Sequence, residues 1–343
     1  MTVKTLSFFD AAKTLKLPGS ERNLFSSVPW LSVLRKTYGP GLFCKYIERN
    51  GEVSSYVFYS VVHNFLEDKI CVCSYCDYCD AHIERGEDWQ AFFESWRVEY
   101  SRYRIAIRNL CDETVRQNPN FKVLSKERHH ILDVRPELDL IWKKMNDSFR
   151  SQVKQAQKAG VVVRPCGKEG LKKFYGLHLR LRKNKYRLFP QPYRFFDMIW
   201  AEYMEKGKGV LLGAFDRDNR FIGGTVYLIC GNTLYYKFNT SALGSLKARP
   251  NNILVWEGIK VAKERNLEFI DMGSSGCEQE GLIMFKNHAG AECQDITHLG
   301  FHPPGYQFSQ KRILRVMTRF FTLPWMPSFM LRWGSSIIYP YLA

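Results

Sequence analysis

The second half of the chain alternates between strand-like and helix-like hydrophobic patterns. Three apolar runs separated by short polar turns predict an antiparallel β-meander over residues 210–215, 221–230 and 233–239. The segments that follow predict a helix, a strand, a helix and a last strand, over residues 252–265, 269–272, 279–288 and 293–301. This mixed order of strands and helices predicts an α/β (α+β) sandwich.

A basic amphipathic segment precedes the meander. Its pattern predicts one helix over residues 139–159 that stops at Gly160, because glycine commonly ends helices, and then a strand over 161–164. Two further helices are predicted around a proline-containing break, over residues 169–185 and 193–206.

The first half of the chain carries a weaker version of the same pattern. Strand-like runs at 43–48, 55–62, 69–73 and 104–108 accompany a predicted helix near 87–100. The strand-turn-strand segment 44–58 also repeats faintly at 212–226, which suggests a duplicated domain. We therefore expect an N-terminal domain at 1–130, a C-terminal domain at 131–305 that holds the active site, and a helical tail at 306–343.

Charge is concentrated in two places. The chain has 50 Lys+Arg against 34 Asp+Glu, a formal net charge of +16. Residues 140–190 hold 14 Lys/Arg and two acids, a net of +12, and residues 306–343 hold five Lys/Arg and no acid, a net of +5. Such patches favour a polyanionic partner: RNA, a nucleotide-linked substrate or an anionic membrane. The alternative for 140–190 is an ordinary solvated helix face.

The expected compartment follows from what the chain lacks. No secretory signal begins it, no apolar run reaches about 18 residues, and its ten cysteines are typical of reduced thiols. We expect a cytoplasmic protein. The basic tail is rich in aromatic residues, which is typical of segments at a membrane interface, so a peripheral position at the inner face of the membrane is a second expectation. A helix pair packed on the domain is the alternative.

The strand over 233–239 carries the first candidate site. Strict alternation would place Tyr235, Lys237 and Asn239 on one face, where a phenol, an ammonium and an amide suit a binding site better than a core. A solvent-exposed sheet face is the alternative interpretation.

Three further candidates lie where predicted helices begin or strands end. Arg249 precedes Pro250 and Asn252 at a predicted helix start, where backbone N–H groups and the helix dipole favour an anion. An ordinary helix cap is the alternative interpretation of this segment. Asp271 ends a predicted strand and could accept a proton or orient an amine, or simply cap the following loop. Lys286 would lie at the edge of a helix stripe, and spacing alone favours a water-facing lysine.

Four cysteines resemble a metal motif: Cys71, Cys73, Cys76 and Cys79. The paired spacing of a complete cluster motif is missing, and the first two fall in a strand-like run. No HExxH, GxSxG or Walker loop occurs, so no metal site is assigned.

The second half resembles the FemAB-like and CelD-like branch of the GNAT superfamily. The segments that carry the resemblance are FRSQVKQAQKAGVVVR at 149–164, YYKFNTS at 235–241, RPNNILVWEGIKVAKERN at 249–266, FIDMGSS at 269–275 and GLIMFKNHAGAE at 281–292. The first half is similar mainly at YCDYCD, residues 75–80, which would make the cysteines part of a family loop. The resemblance implies tandem GNAT-like domains, each a mixed sheet flanked by helices, with a short helical C-terminal tail.

The resemblance also implies a reaction: transfer of an acyl or aminoacyl group from an activated ester or thioester to an amine of a cell-envelope or polysaccharide precursor. It implies that Lys286 stabilises charge or holds phosphate, that Tyr235 hydrogen-bonds the reacting centre, and that Asp271 orients the amine. It further implies a set of substrate-binding residues: Lys237, Asn239, Arg249, Asn252, Arg150 and Lys154.

The implied donor is anionic and is not a tightly bound cofactor. The segment 249–252 departs from the coenzyme A loop of ordinary GNAT enzymes, so both aminoacyl-tRNA and acyl-CoA stay open as donors. The coiled-coil insertion with which some relatives grip tRNA is not evident. The alternative function is a non-catalytic RNA- or membrane-binding module on a degenerate GNAT pair.

Overall fold

A computed structural model describes residues 2–19, 23–39, 41–63, 67–72, 74–78, 81–305 and 311–339, with side chains omitted for 311–315. The chain divides into two compact units. The first comprises Met1–Glu127, Asp295–Arg315 and Ile338–Ala343, and the second comprises Arg128–Gln294 and Val316–Ile337. The units are thus discontinuous, whereas the expected domains 1–130, 131–305 and 306–343 are contiguous.

The first unit is built on a sheet with the strand order β1-β2-β3-β4-β5-β12. Its strands are β1 (Lys4–Ser7), β2 (Gly41–Arg49), β3 (Glu52–His63), β4 (Asp68–Val72), β5 (Arg104–Asn109) and residues 295–301 of β12 (Glu292–Phe301). Its helices are α1 (Phe8–Thr14), α2 (Val28–Tyr38), α3 (Glu87–Glu99) and α4 (Glu113–Gln117). Its core joins the sheet to α3 through buried aromatics, among them Trp89, Phe92 and Trp96.

The second unit has the sheet order β6-β11-β10-β9-β8-β7. Its strands are residues 128–133 of β6 (Lys122–Asp133), then β7 (Val162–Pro165), β8 (Gly209–Phe215), β9 (Phe221–Cys230), β10 (Thr233–Ser241) and β11 (Phe269–Gly276). Its helices are α5 (Leu138–Lys144), α6 (Asp147–Lys158), α7 (Lys168–Leu181), α8 (Tyr193–Ile199), α9 (Pro250–Glu264) and α10 (Glu280–His288). Two more helices, α11 (Lys311–Phe321) and α12 (Ser328–Ile338), belong to this unit over residues 316–337.

The two sheets share one topology. In each, four strands run antiparallel, the fourth pairs parallel with the fifth, and a helix joins those two strands. The repeated segments 44–58 and 212–226 fall on the hairpins β2–β3 and β8–β9. The predicted fold class, tandem mixed sheets flanked by helices with a helical tail, is confirmed.

The single helix predicted over 139–159 is wrong, because the chain forms α5 and α6 with a break at Met145 and Asn146. Asn146 has extended backbone angles and accepts the Ser148 N–H with its side chain, so it caps α6. Its own N–H donates to His288 O at 3.0 Å. A tertiary contact and an N-cap therefore outweigh the helical periodicity.

Helix α9 forms the centre of the second core. It buries an apolar face that includes Leu254 and Ile259 against β8, β9 and β10. Gly258 faces Tyr227 on β9, whose hydroxyl donates to Leu254 O at 3.0 Å. A Cβ at Gly258 would lie 2.3 Å from that hydroxyl oxygen, so glycine is what lets the helix approach the sheet.

Candidate functional site

Strands β10 and β11 part from each other after their first three residues. Their parallel register covers only residues 233–235 against 269–271, whereas β10 continues to Ser241 and stays paired with β9 as far as Gly223. Beyond the last parallel pair, Tyr235 with Asp271, the two strands are no longer hydrogen-bonded to each other. A fork between strand ends of this kind is where α/β sheets accept ligands.

Tyr235 lies at the mouth of this fork and is almost fully buried. Because it is register-paired with Asp271, the structure brings together a phenol and a carboxylate that are 36 residues apart in the sequence. The predicted catalytic residues Tyr235 and Asp271 are therefore neighbours.

The predicted polar face of β10 is wrong. The register with β9 shifts between Tyr236 and Phe238, so Lys237 occupies a β-bulge and the strict alternation ends there. Phe238 consequently packs on Phe195 and Phe196 of α8, and Tyr236 packs on Tyr227, which lies against α9.

The bulge separates the three residues that alternation placed together. Lys237 is half-buried with its ammonium 5.8 Å from the Phe238 ring centroid. Asn239 donates to Thr225 Oγ1 at 2.8 Å, and Thr225 shares the α9-facing side of β9 with Tyr227. Asn239 therefore supports the sheet on the opposite face from Phe238.

Asp271 is 2% exposed, and each of its carboxylate oxygens lies against a polar group. Its Oδ1 accepts the Gly273 N–H at 2.7 Å, which is the local loop cap that the sequence allowed as an alternative role. Its Oδ2 lies 3.0 Å from His129 Nε2 on β6. The carboxylate thus links the end of β11 to a histidine that sequence reasoning did not place in the site.

His129 is fully buried and has its second ring nitrogen 3.0 Å from Gln294 Nε2. An amide nitrogen only donates, so Nδ1 accepts this hydrogen bond. Nε2 lies at ion-pair distance from Asp271 Oδ2, without the alignment of a hydrogen bond. The available signal was the double histidine in KERHHILD, within a strand that the sequence analysis did not predict.

Lys286 is 2% exposed, so the expectation of a water-facing lysine is wrong. From α10 its Nζ donates to Gly273 O and Ser274 O, both at 2.9 Å. These carbonyls lie immediately beyond Asp271 on β11. Helix α10 exposes Leu282 instead, because the helix turns its lysine rather than that leucine toward the strand.

His130 responds electrostatically to the same lysine. Burial, and after it the positive charge of Lys286, lower the pKa of His130 to about 4. His130 is therefore a neutral imidazole near pH 7, next to a buried cation.

The start of α9 lies at the end of the β10 connection. Arg249 adopts a left-handed conformation with φ 55°, and Pro250 occupies the first turn, as predicted. Arg249 Nε donates to Gln155 Oε1 of α6 at 3.2 Å. Asn252 Nδ2 and Asn251 Oδ1 are buried and have no hydrogen-bond partner among the described residues. One donor and one acceptor at this helix start can therefore still bond a ligand.

The two predicted binding residues on α6 differ from each other. Arg150 donates to Lys143 O at 3.2 Å and to the Asp147 carboxylate, which fixes it against the end of α5. Lys154 is exposed, one position before the Gln155 that holds Arg249. Lys154 is therefore open to solvent, whereas Arg150 is held by its neighbours.

The cysteine motif is only partly described. Cys71 and Cys76 are buried, whereas Cys73 and Cys79 lie outside the described residues, as does Asp80 of the YCDYCD segment. Within the described ranges no group of three or more His, Cys, Asp or Glu side chains has the arrangement of a metal site. Within those same ranges, no helix is both long and apolar enough to span a membrane.

The fork of β10 and β11 can carry out transfer chemistry in principle. It offers a hydroxyl donor from Tyr235, a carboxylate oriented by His129, and a buried ammonium behind the β11 backbone. The start of α9, which follows β10 in the chain, adds the side-chain amides of Asn251 and Asn252, whose buried polar atoms have no hydrogen-bond partner among the described residues. These groups suit a reaction that develops negative charge on a carbonyl oxygen and releases an anionic donor.

Comparison with known proteins identifies the kind of domain that holds this fork. Residues 143–280 match the family model described as an Acetyltransferase (GNAT) domain. This confirms the resemblance to the GNAT superfamily, and the matched segment contains β10, α9 and β11. No curated protein sequence matches the chain.

Solved structures share the fold at low identity. FemX has a TM-score of 0.68 at 14% identity, covering 92% of this chain and 100% of FemX. L-PGS from Bacillus licheniformis has a TM-score of 0.54 at 10% identity, covering 85% and 92%. A tandem GNAT protein from the clavulanic acid biosynthesis pathway has a TM-score of 0.54 at 10% identity, covering 89% and 100%. These likenesses show that the chain shares the fold of a tandem GNAT protein.

Proposed function

We propose that this chain is an N-acyltransferase or aminoacyltransferase that acylates an amine of a cell-envelope or polysaccharide precursor. The observation that carries the proposal is the fork of β10 and β11, with Tyr235 and Asp271 paired at its mouth and Lys286 buried behind it. The fold likeness to FemX and to L-PGS supports aminoacyl transfer and an envelope-related acceptor.

The reaction needs a neutral amine and an activated carbonyl. The amine nitrogen attacks the carbonyl carbon of the ester or thioester, and the carbonyl π electrons move onto oxygen. The resulting tetrahedral oxyanion collapses, the C–O or C–S bond breaks, and the amine proton leaves to a base or to the departing alcohol or thiol. The products are an amide and the deacylated donor.

The site residues divide this work by their positions. The Tyr235 hydroxyl donates to the oxyanion or to the leaving group, because it lies at the fork. Asp271 attracts the amine and its proton, with His129 holding the carboxylate in place. Lys286 keeps the Gly273 and Ser274 backbone in position and contributes a nearby positive charge.

The donor carries phosphates in either of the two proposed forms, acyl-CoA or aminoacyl-tRNA. Its phosphates would meet the start of α9, which holds Arg249, Asn252 and the first-turn N–H groups, and the exposed Lys154 of α6 would add a positive charge. The basic region 140–190 would extend this contact for a longer polyanion. Neither donor is a resident cofactor.

Placement of the protein in the cytoplasm, at the inner face of the membrane, accompanies this proposal. Aminoacyl-tRNA and nucleotide-linked precursors are cytoplasmic, so the donor and acceptor classes favour that compartment.

Native mass spectrometry of the purified chain, followed by donor binding measurements, tests the proposal. We expect a mass increment of coenzyme A or tRNA, and an Arg249→Ala variant that binds the donor about tenfold more weakly. The matched control is Arg220→Ala in the exposed β8–β9 turn, which should bind as the unaltered chain does. Donor binding without product on any amine would instead favour the non-catalytic RNA- or membrane-binding module.

A further inference from the structure

Helix α12 has a buried side and an apolar exposed side. Its buried residues follow a helical stripe at Leu331, Gly334, Ser335 and Ile338. On the opposite side Phe329, Trp333 and Ile337 are exposed at the i, i+4, i+8 spacing of a second straight row. Trp333 is 63% exposed. A solvated helix face normally carries polar side chains, so this second row is unexplained by the fold of the unit.

The exposed row continues through the preceding loop into α11. Trp325 in the loop is 69% exposed and packs edge-on against Phe320 of α11, with ring centroids 6.3 Å apart. Val316, one helical turn before Phe320, is exposed as well. The resulting surface, which we name the aromatic ridge, consists of Val316, Phe320, Trp325, Phe329, Trp333 and Ile337.

The aromatic ridge is held in place from behind. Lys183 Nζ, on the turn after α7, donates to Pro324 O at 3.1 Å and to Met326 O at 2.7 Å. Phe321 packs on Phe189 with ring centroids 5.6 Å apart. Because the loop between α11 and α12 is bonded to the second unit, the exposed aromatic side chains are presented by a fixed backbone.

Positive charge surrounds the aromatic ridge. Arg319 and Arg332 are exposed on the same two helices, and residues 311–339 contain no Asp or Glu. The turn after α7, whose Lys183 bonds the loop between α11 and α12, adds the exposed cations Lys185 and Arg187. It also exposes the side chains of Tyr186 and Leu188. An apolar surface with cations at its border complements a bilayer whose headgroups are anionic.

We propose that the aromatic ridge docks the protein on an anionic phospholipid bilayer. The tryptophans enter the headgroup region, where an amphipathic ring is favoured, and the phenylalanines bury apolar area at the acyl boundary. The arginines meet lipid phosphates. A protein partner would need an equally large apolar surface flanked by acids, whereas an anionic bilayer supplies both features. The proposal does not rest on the transfer reaction, because none of the ridge residues belongs to the candidate site.

Vesicle flotation with the full chain tests the docking. We expect binding to phosphatidylcholine vesicles that contain about one-third phosphatidylglycerol, and weak binding to phosphatidylcholine alone. Trp325→Ser with Trp333→Ser should weaken binding about tenfold or more. Phe9→Ser, which removes an exposed aromatic ring from α1 in the first unit, is the matched control and should bind normally.

A charge variant separates the two components of docking. Arg319→Glu with Arg332→Glu should lose the preference for anionic vesicles, and Arg220→Glu should keep it. The proposal is overturned if the unaltered chain binds neither vesicle type, or if the tryptophan variant binds as well as the control. It is also overturned if the tryptophan variant only abolishes self-association in sedimentation, which would assign the ridge to a second copy of the chain.

Discussion

Asp271 Oδ2 and His129 Nε2 lie 3.0 Å apart between the adjacent strands β11 and β6, and both side chains are buried. Gln294 Nε2 lies 3.0 Å from the other ring nitrogen of the histidine. The carboxylate at the fork of the sheet therefore has its orientation fixed from two directions, by His129 and by the Gly273 N–H.

Replacing this carboxylate tests its role. Asp271→Asn keeps an oxygen for the Gly273 N–H but removes the charge that faces His129. We expect the free energy of unfolding to fall by about 1–3 kcal/mol, since a buried polar contact is lost. Turnover should fall further than stability explains, by roughly 100-fold, if Asp271 handles the amine proton. Urea denaturation and steady-state kinetics measure the two effects.

The control is Asp216→Asn in the β8–β9 turn, where the carboxylate also accepts backbone N–H groups but in contact with solvent. It should change stability by under about 0.5 kcal/mol. A His129→Gln variant completes a double-mutant cycle with Asp271→Asn. Additive losses of the two variants would contradict a direct interaction between the side chains.

Removal of the Lys286 ammonium should reduce both stability and turnover. Lys286→Met keeps the length of the side chain but leaves Gly273 O and Ser274 O without their donor. We expect a loss of about 2–4 kcal/mol in the free energy of unfolding, because one buried and one partly buried carbonyl lose a charged donor. The loss of turnover should be roughly 100-fold or more.

Lys260→Met on α9 is the matched control, because its ammonium pairs with Glu257 at a partly exposed position. That change should be near neutral. Full turnover by Lys286→Met, measured where the variant is folded by circular dichroism, would remove Lys286 from the mechanism.

Stability should depend on pH through two buried histidines. Burial is the main cause that lowers the pKa of His130 to about 4, and burial with the nearby Arg182 charge lowers that of His178 to about 3. Unfolded imidazoles titrate near pH 6.5. As the pH falls below about 6.5, the unfolded chain binds protons that the folded chain rejects, so the free energy of unfolding decreases.

Each of these histidines should contribute up to about 1.4 kcal/mol per pH unit well below pH 6.5. Urea denaturation between pH 7 and pH 5 measures the slope. His178→Gln, which can still bond Gln191, should reduce this slope by the contribution of one titrating proton. A pH-independent stability across this range would show that the two imidazoles are not buried in the neutral form.

Gly258→Ala should destabilise the protein although alanine favours helices. The new Cβ would lie 2.3 Å from the Tyr227 hydroxyl oxygen in the packed face of α9. Overpacking of this kind costs about 1–3 kcal/mol. Calorimetry should show a lower Tm, partly restored by the added Tyr227→Phe change.

Gly176→Ala on α7 is the matched control. Among the described residues, and apart from its own helix backbone and chain neighbours, no atom lies within 4 Å of the position that the alanine methyl group would take. There the intrinsic helix preference should raise stability by up to about 1 kcal/mol. Equal effects of the two alanines would contradict the close approach of α9 to β9.

The local elements followed from the sequence because their causes are local. The meander β8–β10, helix α9 with Pro250 in its first turn, and strand β11 each have a period or a turn residue within a few positions. The same segments carried the resemblance to a GNAT domain. Asp271 and Lys286 could be singled out because they stand at strand and helix ends that sequence patterns identify.

Only tertiary structure decided which side chains meet. The bulge at Lys237 depends on the register with β9, so alternation could not foresee that Phe238 and Tyr236 face opposite ways. Lys286 is buried because two carbonyls of β11 accept its protons, and a helix period does not encode a distant acceptor. His129 reaches Asp271 through a strand 142 residues earlier in the chain, and contacts of that separation arise from sheet order, which is settled only when the whole unit folds.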